Sequence, residues 1–429
     1  MNTPPVATSA KRKAYVNVVL PLFITSIIAY MDRVNLSYAT LTMKEDLGFT
    51  DEIYGIGASI FFVGYLLFEV PGALIAERFS PKWWLARIMI TWGIASGLMA
   101  FMTTAWQFYI LRFLLGVAEA SLYPVLYASC IPRWFSAHDR PRAIALMLTS
   151  LQVSSIIGAP LAGWLLDVSL PQFRGWQGLF ILEAIPAIIF SFVLVYWMAD
   201  WPKDAKWLTP DEKQFLTAQY EREVAVKSAA RHYTVWQALR AKEVIKLCGT
   251  YFLWITGFWG FNYWIPTVLK KASGWSNLAV GWAIAVSMCF SLAFMLWISH
   301  HSAKTGEKRW HGAAGLFIAA AGMLLGTVTD SPTWAFLVTC LTAIGVYAPF
   351  GGGWSYPTTF LSGTAAAGAI GLINSCGNVG GIVGPSMIGY VSEMTGSYSG
   401  GWIYLAFSLI CAGLLILTFK KHVPTDNVK

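Results

Sequence analysis

The chain is short of charge. Only 12% of its 429 residues are Asp, Glu, Lys or Arg, while 56% are hydrophobic, more apolar surface than a soluble chain of this size can hide. That excludes a soluble domain and points to a polytopic membrane protein. Cysteine is scarce and unpatterned: Cys130, Cys248, Cys289, Cys340, Cys376 and Cys411 lack CxxC spacing and fall in or at the ends of apolar runs. They read as small core hydrophobes. The histidines, His138, His232, His300, His301, His311 and His422, all sit in polar connections or the tail. The sequence therefore offers no metal site, no catalytic constellation and no sign of an enzyme. "GGGW" does not follow a strand and lacks a Walker lysine, so no nucleotide or other cofactor is expected. The opening "MNTPPVATSAKRK" lacks a cleavable signal pattern, because the apolar run after it is too long.

What is present is apolar length. Runs of about 20 residues, enough at ~1.5 Å per residue to cross a ~30 Å hydrocarbon core, recur at 17–39, 54–77, 84–103, 107–131, 143–168, 176–199, 246–269, 278–299, 312–329, 334–356, 364–391 and 401–419. Twelve spans make an all-α membrane protein. The formal charge of +8 could suggest nucleic acid, but its distribution excludes that. Threading the spans back and forth places 24 of the 30 Lys and Arg on the side of both termini. The other side keeps Lys44, Arg174, Lys270 and Lys271, and Arg33 and Arg112 lie inside spans. By the positive-inside rule both termini are cytoplasmic, in an inner membrane.

The longest polar stretch, residues 200–245, separates two sets of six spans, 1–199 and 246–429. Within it "LTPDEKQFLTAQYERE" predicts a helix, with Thr209 as N-cap, Pro210 at the first position and acids in the first turn. The two sets repeat. At an offset of 225, Pro132, Phe135, Ser150 and Pro160 meet Pro357, Phe360, Ser375 and Pro385. At 226, Gly163, Gly175, Trp176 and Leu179 meet Gly389, Gly401, Trp402 and Leu405. The match runs span for span, so the repeat is parallel. Parallel repeats around a midplane site suit an alternating-access transporter.

"YMDRVNLSYA", "FFVGYLLFEVPGALIAERFSPK", "LRFLLGVAEASLYP" and "INSCGNVGGIVGP" resemble the major facilitator superfamily, and within it the anion:cation symporters, which include bacterial permeases for galactonate, 2-ketogluconate, tartrate and 4-hydroxyphenylacetate. The resemblance implies two six-helix bundles and a conformational latch between spans 2 and 3 built from Glu77, Arg78 and Lys82. Ser80 stands where that family's signature usually has Gly.

Charges inside a membrane are costly and so are candidates for function. They are Asp32, Arg33, Glu69, Arg112, Glu119 and Glu183, with Asp167 at an edge, all in the first six spans. Asp32 and Arg33 are neighbours, projecting about 100° apart on a helix, so they serve different surroundings. Arg33 offers a planar fork for a substrate carboxylate, and Asp32 and Glu119 are the expected proton carriers. Arg112, Glu119 and Tyr123 follow at i, i+7 and i+11, one helix face. Arg112 and Tyr123 either tune the acids electrostatically or only lock spans 1 and 4 together. Glu69 and Glu183 read as structural.

Polar and aromatic side chains in otherwise apolar spans supply the rest. The resemblance places Tyr65, Gln152, Asn374 and Ser375 at substrate-binding positions, and Trp259 and Asn262, within "GTYFLWITGFWGFNYWIPTVL", form a gate or a platform for a polyol. "GVYAPFGGGWSYP" predicts a bend in span 10. The resulting expectation is a monomeric proton-coupled symporter importing a small organic anion, a sugar acid such as an aldonate or keto-aldonate. Tartrate-like hydroxy-diacids and aromatic carboxylates are the alternatives within transport, and a membrane sensor on a transporter fold is the alternative outside it.

Overall fold

A computed structural model describes residues 5–168, 171–229, 242–328, 331–352 and 363–419. Every secondary-structure element among them is helical. The spans are α1 Leu20–Leu47, α2 Asp51–Arg78, α3 Pro81–Met99, α4 Ala105–Glu119, α5 Arg140–Asp167, α6 Gly175–Trp197, α7 Lys242–Ser273, α8 Asn277–Thr305, α9 Arg309–Leu325, α10 Pro332–Gly352, α11 Gly363–Thr395 and α12 Ser399–Leu417. Ten helical segments have the length and apolar composition to cross a membrane. The remaining two, α3 and α11, are diluted by tryptophans and Arg87 in one and by glycines, Asn374 and Asn378 in the other.

Short polar connections punctuate the spans because side chains there satisfy the helix ends. Thr50 accepts from Ile53 N–H, Thr104 forms a capping box with Gln107, and Ser276 accepts from Ala279 N–H. The tail is itself a helix, Pro5–Ala14, joined to α1 through a π-helical turn, Tyr15–Val19. α10 runs through Pro349 to Gly352, so the described part of span 10 continues where the sequence predicts a bend; residues 353–357 of that motif lie outside the described residues.

Packing follows the repeat. α1 lies against α5 as α7 does against α11, and α3 against α6 as α9 does against α12. Between the two sets the principal contacts are α5 with α8 and α2 with α11, pairs that the repeat exchanges, and α1 with α7. Both exchanged contacts rest on matched glycines. A Cβ on Gly163 would come within 2.5 Å of Asn277 O, and one on Gly389 within 2.5 Å of Asp51 O, so only glycine permits these backbones to meet.

The end opposite the termini is sealed across the two sets. Asp51 pairs with Lys44 and accepts from Ser392 at 2.7 Å and Tyr398 at 3.2 Å. Asn277 donates to Asp167 at 2.9 Å. At the terminus-bearing end, the tail helix docks on the connecting helix Pro210–Ala229: Ser9 and Lys13 reach Glu212 at 2.6 and 2.8 Å. Glu212 also accepts from Thr209 N–H at 2.8 Å. Burial would raise the Glu212 carboxyl, but those donors outweigh it and hold it at about 2.

Candidate functional site

Arg33 lies buried midway along α1. Its guanidinium pairs with Glu119 and lies 5.0 Å from the Phe61 ring, 5.1 Å from Tyr65, and 5.5 Å from both Tyr123 and Trp259. The cage draws on α2, α7 and the chain after α4, and leaves Arg33 6% exposed. Cation–π attraction favours such packing for the weakly hydrated guanidinium. The pair is incompletely satisfied: Arg33 Nε and Glu119 Oε2 have no hydrogen-bond partner among the described residues.

Asp32 faces elsewhere, as helical geometry requires. Ser96 of α3 and, at 3.3 Å, Asn35 donate to its Oδ1, while Oδ2 is unpaired among the described residues. Glu183 of α6, 6% exposed and also with an unpaired Oε2, interacts electrostatically with Asp32. The acid read from sequence as structural is therefore a neighbour of the proposed proton carrier.

Arg112 interacts electrostatically with Asp32 and Glu119 but hydrogen-bonds to neither. It is fully buried, yet its donors go to backbone and phenol: Nε to Gly57 O at 3.2 Å, Nη2 to Ala58 O at 3.5 Å and to Tyr263 Oη at 3.0 Å. It thus ties α4 to α2 and, across the two sets, to α7. Glu119 goes to Arg33 instead.

The single-face reading of Arg112, Glu119 and Tyr123 is corrected, because the helix stops between the last two. α4 ends at Glu119, Ala120 is extended, and Ser121 adopts φ +72°, the one non-glycine residue among those described in the left-handed region. Trp84 Nε1 donates to Ser121 Oγ at 3.1 Å, and Gly72 leaves room for that side chain, since a Cβ there would approach Oγ to 2.4 Å. The break frees carbonyls, and Arg87 donates to Ala118 O at 3.4 Å while lying 4.0 Å over the Trp84 ring. Sequence reading counted Arg87 with the polar connections; its place early in span 3 was the available signal. After the break Tyr123 turns to Arg33 and stacks on Tyr127.

α1 and the last six spans share a phenol–amide cluster. Tyr30 Oη is 2.8 Å from Tyr347 Oη, which donates to Asn262 Oδ1 at 2.7 Å; Asn262 Nδ2 donates to Phe258 O at 2.8 Å. Trp259 packs on Tyr30, Phe62 and Tyr263. Tyr347 was missed, lying in the motif whose glycines drew notice. Gln152 donates to Met295 Sδ at 3.1 Å and keeps Oε1 unpaired among the described residues. Asn374 and Asn378 both donate to Glu69, the latter at 2.8 Å. Glu69 thereby binds side-chain amides across the two sets, and Ser375 is half-buried beside Asn374.

Between α2 and α3 the contacts in this state, which is sealed at the opposite end, run through Ser80 and Lys82. Glu77 and Arg78 are exposed. Asp200 accepts from Ser80 Oγ and, at 3.0 Å, from Lys82 N–H, while Ser80 caps α3 by accepting from Trp83 N–H. The serine that departs from the family signature makes this cap possible, because glycine has no hydroxyl to offer.

The Major Facilitator Superfamily matches residues 22–385. A protein of Agrobacterium vitis named "Putative tartrate transporter" is 40% identical over 98% of this chain and 97% of its own length. The "Quinolone resistance transporter" of Acinetobacter baumannii is 34% identical over 95% of this chain and 94% of its own. Among solved structures, the xylose transporter XylE from E. coli in a partially occluded inward-open conformation superposes with a TM-score of 0.72 at 14% identity, over 94% of this chain and 99% of that one.

Proposed function

This chain belongs to the Major Facilitator Superfamily and is a multi-pass membrane transporter, not an enzyme, and we propose that it is a proton-coupled symporter importing a small organic anion. The tartrate-like hydroxy-diacid, second to a sugar acid on sequence grounds, moves first because of the 40%-identical relative's name. The observation that carries the proposal is the caged Arg33–Glu119 pair with its unpaired Nε and Oε2.

The geometry suggests an exchange. Protonation of Glu119 removes the carboxylate that neutralises Arg33, and a substrate carboxylate takes its place on the guanidinium fork. Deprotonation on the other side of the cycle restores the ion pair and expels the anion. Asp32, with Glu183 nearby, carries a proton that does not compete for Arg33. Tyr30, Asn262, Tyr347 and Gln152 offer hydrogen bonds to substrate hydroxyls; Tyr65 and Trp259 close the cage. The segments 1–199 and 246–429 rock about this point, tethered by 200–245, and the seal around Asp51 must open for entry. The excess of Lys and Arg beside the termini supports a cytoplasmic placement of both, in an inner membrane. The proposed working unit is the monomer.

A second reading, an aromatic carboxylate, is favoured by the four rings around Arg33. Proteoliposome uptake decides. A pH step without sodium should drive accumulation of labelled tartrate, competed by hydroxy-diacids more strongly than by aldonates or aromatic acids. Accumulation that needs sodium would sink proton coupling; ligand binding with no uptake would support a sensor.

A further inference from the structure

At the sealed end a cavity of about 390 Å³ opens between the last turns of α1 and α7, with Thr40, Lys44, Glu45, Thr267, Lys270 and Lys271 in its lining. Its size lies in the range of about 300–1,000 Å³ common for small-ligand sites. The connections at that end carry four basic residues, Lys44, Arg174, Lys270 and Lys271, and three of them line this one cavity. Glu45 is the acid among the six. On the side of the membrane where cations are otherwise sparse, their concentration at the joint between the two sets needs a reason.

The hydroxyls give a second, independent indication. A threonine inside a helix ordinarily satisfies its hydroxyl on the carbonyl four residues back. Thr25, Thr250 and Thr256 do so at 3.0, 2.9 and 2.8 Å. Thr40, 3% exposed, and Thr267 do not: both Oγ1 atoms are buried without a partner among the described residues. Both residues line the cavity beside three ammonium groups, so a side-chain rotation of either presents an unspent donor to an acceptor-rich anion.

We propose that this cavity is an entry subsite that collects the carboxylate anion before it reaches Arg33. The proposal rests on the anion-import reading and on the orientation given above. Lys44, Lys270 and Lys271 supply strongly hydrated point charges, which attract carboxylates without demanding one geometry; the fork of Arg33 then selects. The subsite is wired to the seal. Lys44 pairs with Asp51, Lys270 with Asn277 Oδ1, and Lys271 lies 4.8 Å over the ring of Tyr398, which donates to Asp51. A carboxylate that draws these lysines away competes with the contacts that keep the end shut.

The test uses the full chain in proteoliposomes with labelled tartrate as probe. Lys270→Gln/Lys271→Gln should raise the apparent KM about 3–10-fold near 0.01 M salt, as steering on association predicts. The difference should shrink near 1 M salt, where the screening length falls from ~30 to ~3 Å, and Lys270→Arg/Lys271→Arg should restore KM. Equilibrium binding separates the sites: Arg33→Gln should keep a weak saturable tartrate site that the two Gln substitutions remove. A KM indifferent to these lysines, or the loss of all saturable binding in Arg33→Gln, overturns the subsite even if transport stands. Lysine-dependent binding with no accumulation by the unaltered protein overturns the transport reading and keeps the subsite.

Discussion

Arg33 and Glu119, 86 residues apart in sequence, form an ion pair in which both side chains are almost wholly buried and neither is fully hydrogen-bonded. A pair that only stabilised the fold would be an inefficient use of two charges, since desolvation offsets most of the Coulombic gain. Its incompleteness is what makes an exchange of partners chemically reasonable.

Glu119→Gln removes the charge and leaves the guanidinium uncompensated, which typically costs about 3–5 kcal/mol for a buried pair. Uptake should be lost and the melting temperature lowered, while Arg33→Lys should fold better than Arg33→Gln but transport poorly. Wild-type pH dependence of uptake in Glu119→Gln would remove this residue from coupling.

Asp32→Asn keeps the hydrogen-bonding outline beside Ser96 and abolishes titration. Exchange of labelled for unlabelled substrate across the membrane should persist, whereas accumulation driven by a proton gradient should disappear. Intact accumulation would end the carrier role assigned to Asp32.

Ser121 occupies the left-handed region at φ +72°, costly for side chains and most of all for β-branched ones. Ser121→Val should destabilise by ~2 kcal/mol or more, combining strain with loss of the Trp84 partner. Ser121→Gly should cost much less, because relief of strain offsets the lost bond. Thermal unfolding of the two variants should therefore differ clearly, and equal melting temperatures would argue that the break in α4 is not held at this residue.

Glu69 joins the two sets through Asn374 and Asn378. Asn374→Ala alone should cost ~1–3 kcal/mol by leaving a buried carboxylate oxygen without its donor. With Glu69→Ala added, the loss should be less than the sum of the single changes, and a cysteine cycle read by thiol labelling should show freer opening between α2 and α11. Strict additivity would mean that the contact contributes no coupling.

Docking of the tail helix should depend on pH through Glu212. Its carboxyl, about 2 when docked, ionises near 4.5 in the undocked chain, so the stabilisation is complete above about 4.5 and drains away as pH falls toward 2. Hydrogen exchange of residues 9–13 should quicken across that window, and Glu212→Gln should remove the dependence. An unchanged pH profile in Glu212→Gln would assign the docking to Lys11–Asp139, at 2.7 Å.

Composition and apolar periodicity determined the number of spans, the helical class, the connecting helix with its Thr209 cap, and the repeat, because these depend on local hydrophobicity and on spacing along the chain. The candidate charges were legible for the same reason: an ionisable residue in an apolar run is conspicuous wherever it points. Partners were not. That Arg33 takes Glu119 while Arg112 takes backbone carbonyls and Tyr263, that Asp200 accepts from Ser80 and Lys82, and that three lysines meet at one cavity all depend on distances between helices far apart in sequence. The break after Glu119 was hidden as well, since the cost of the Ser121 backbone is met by Trp84 and the space at Gly72. Sequence placed the charged groups along their helices; tertiary packing decided which faces meet, and hydrogen-bond and ion-pair energies act only across those contacts.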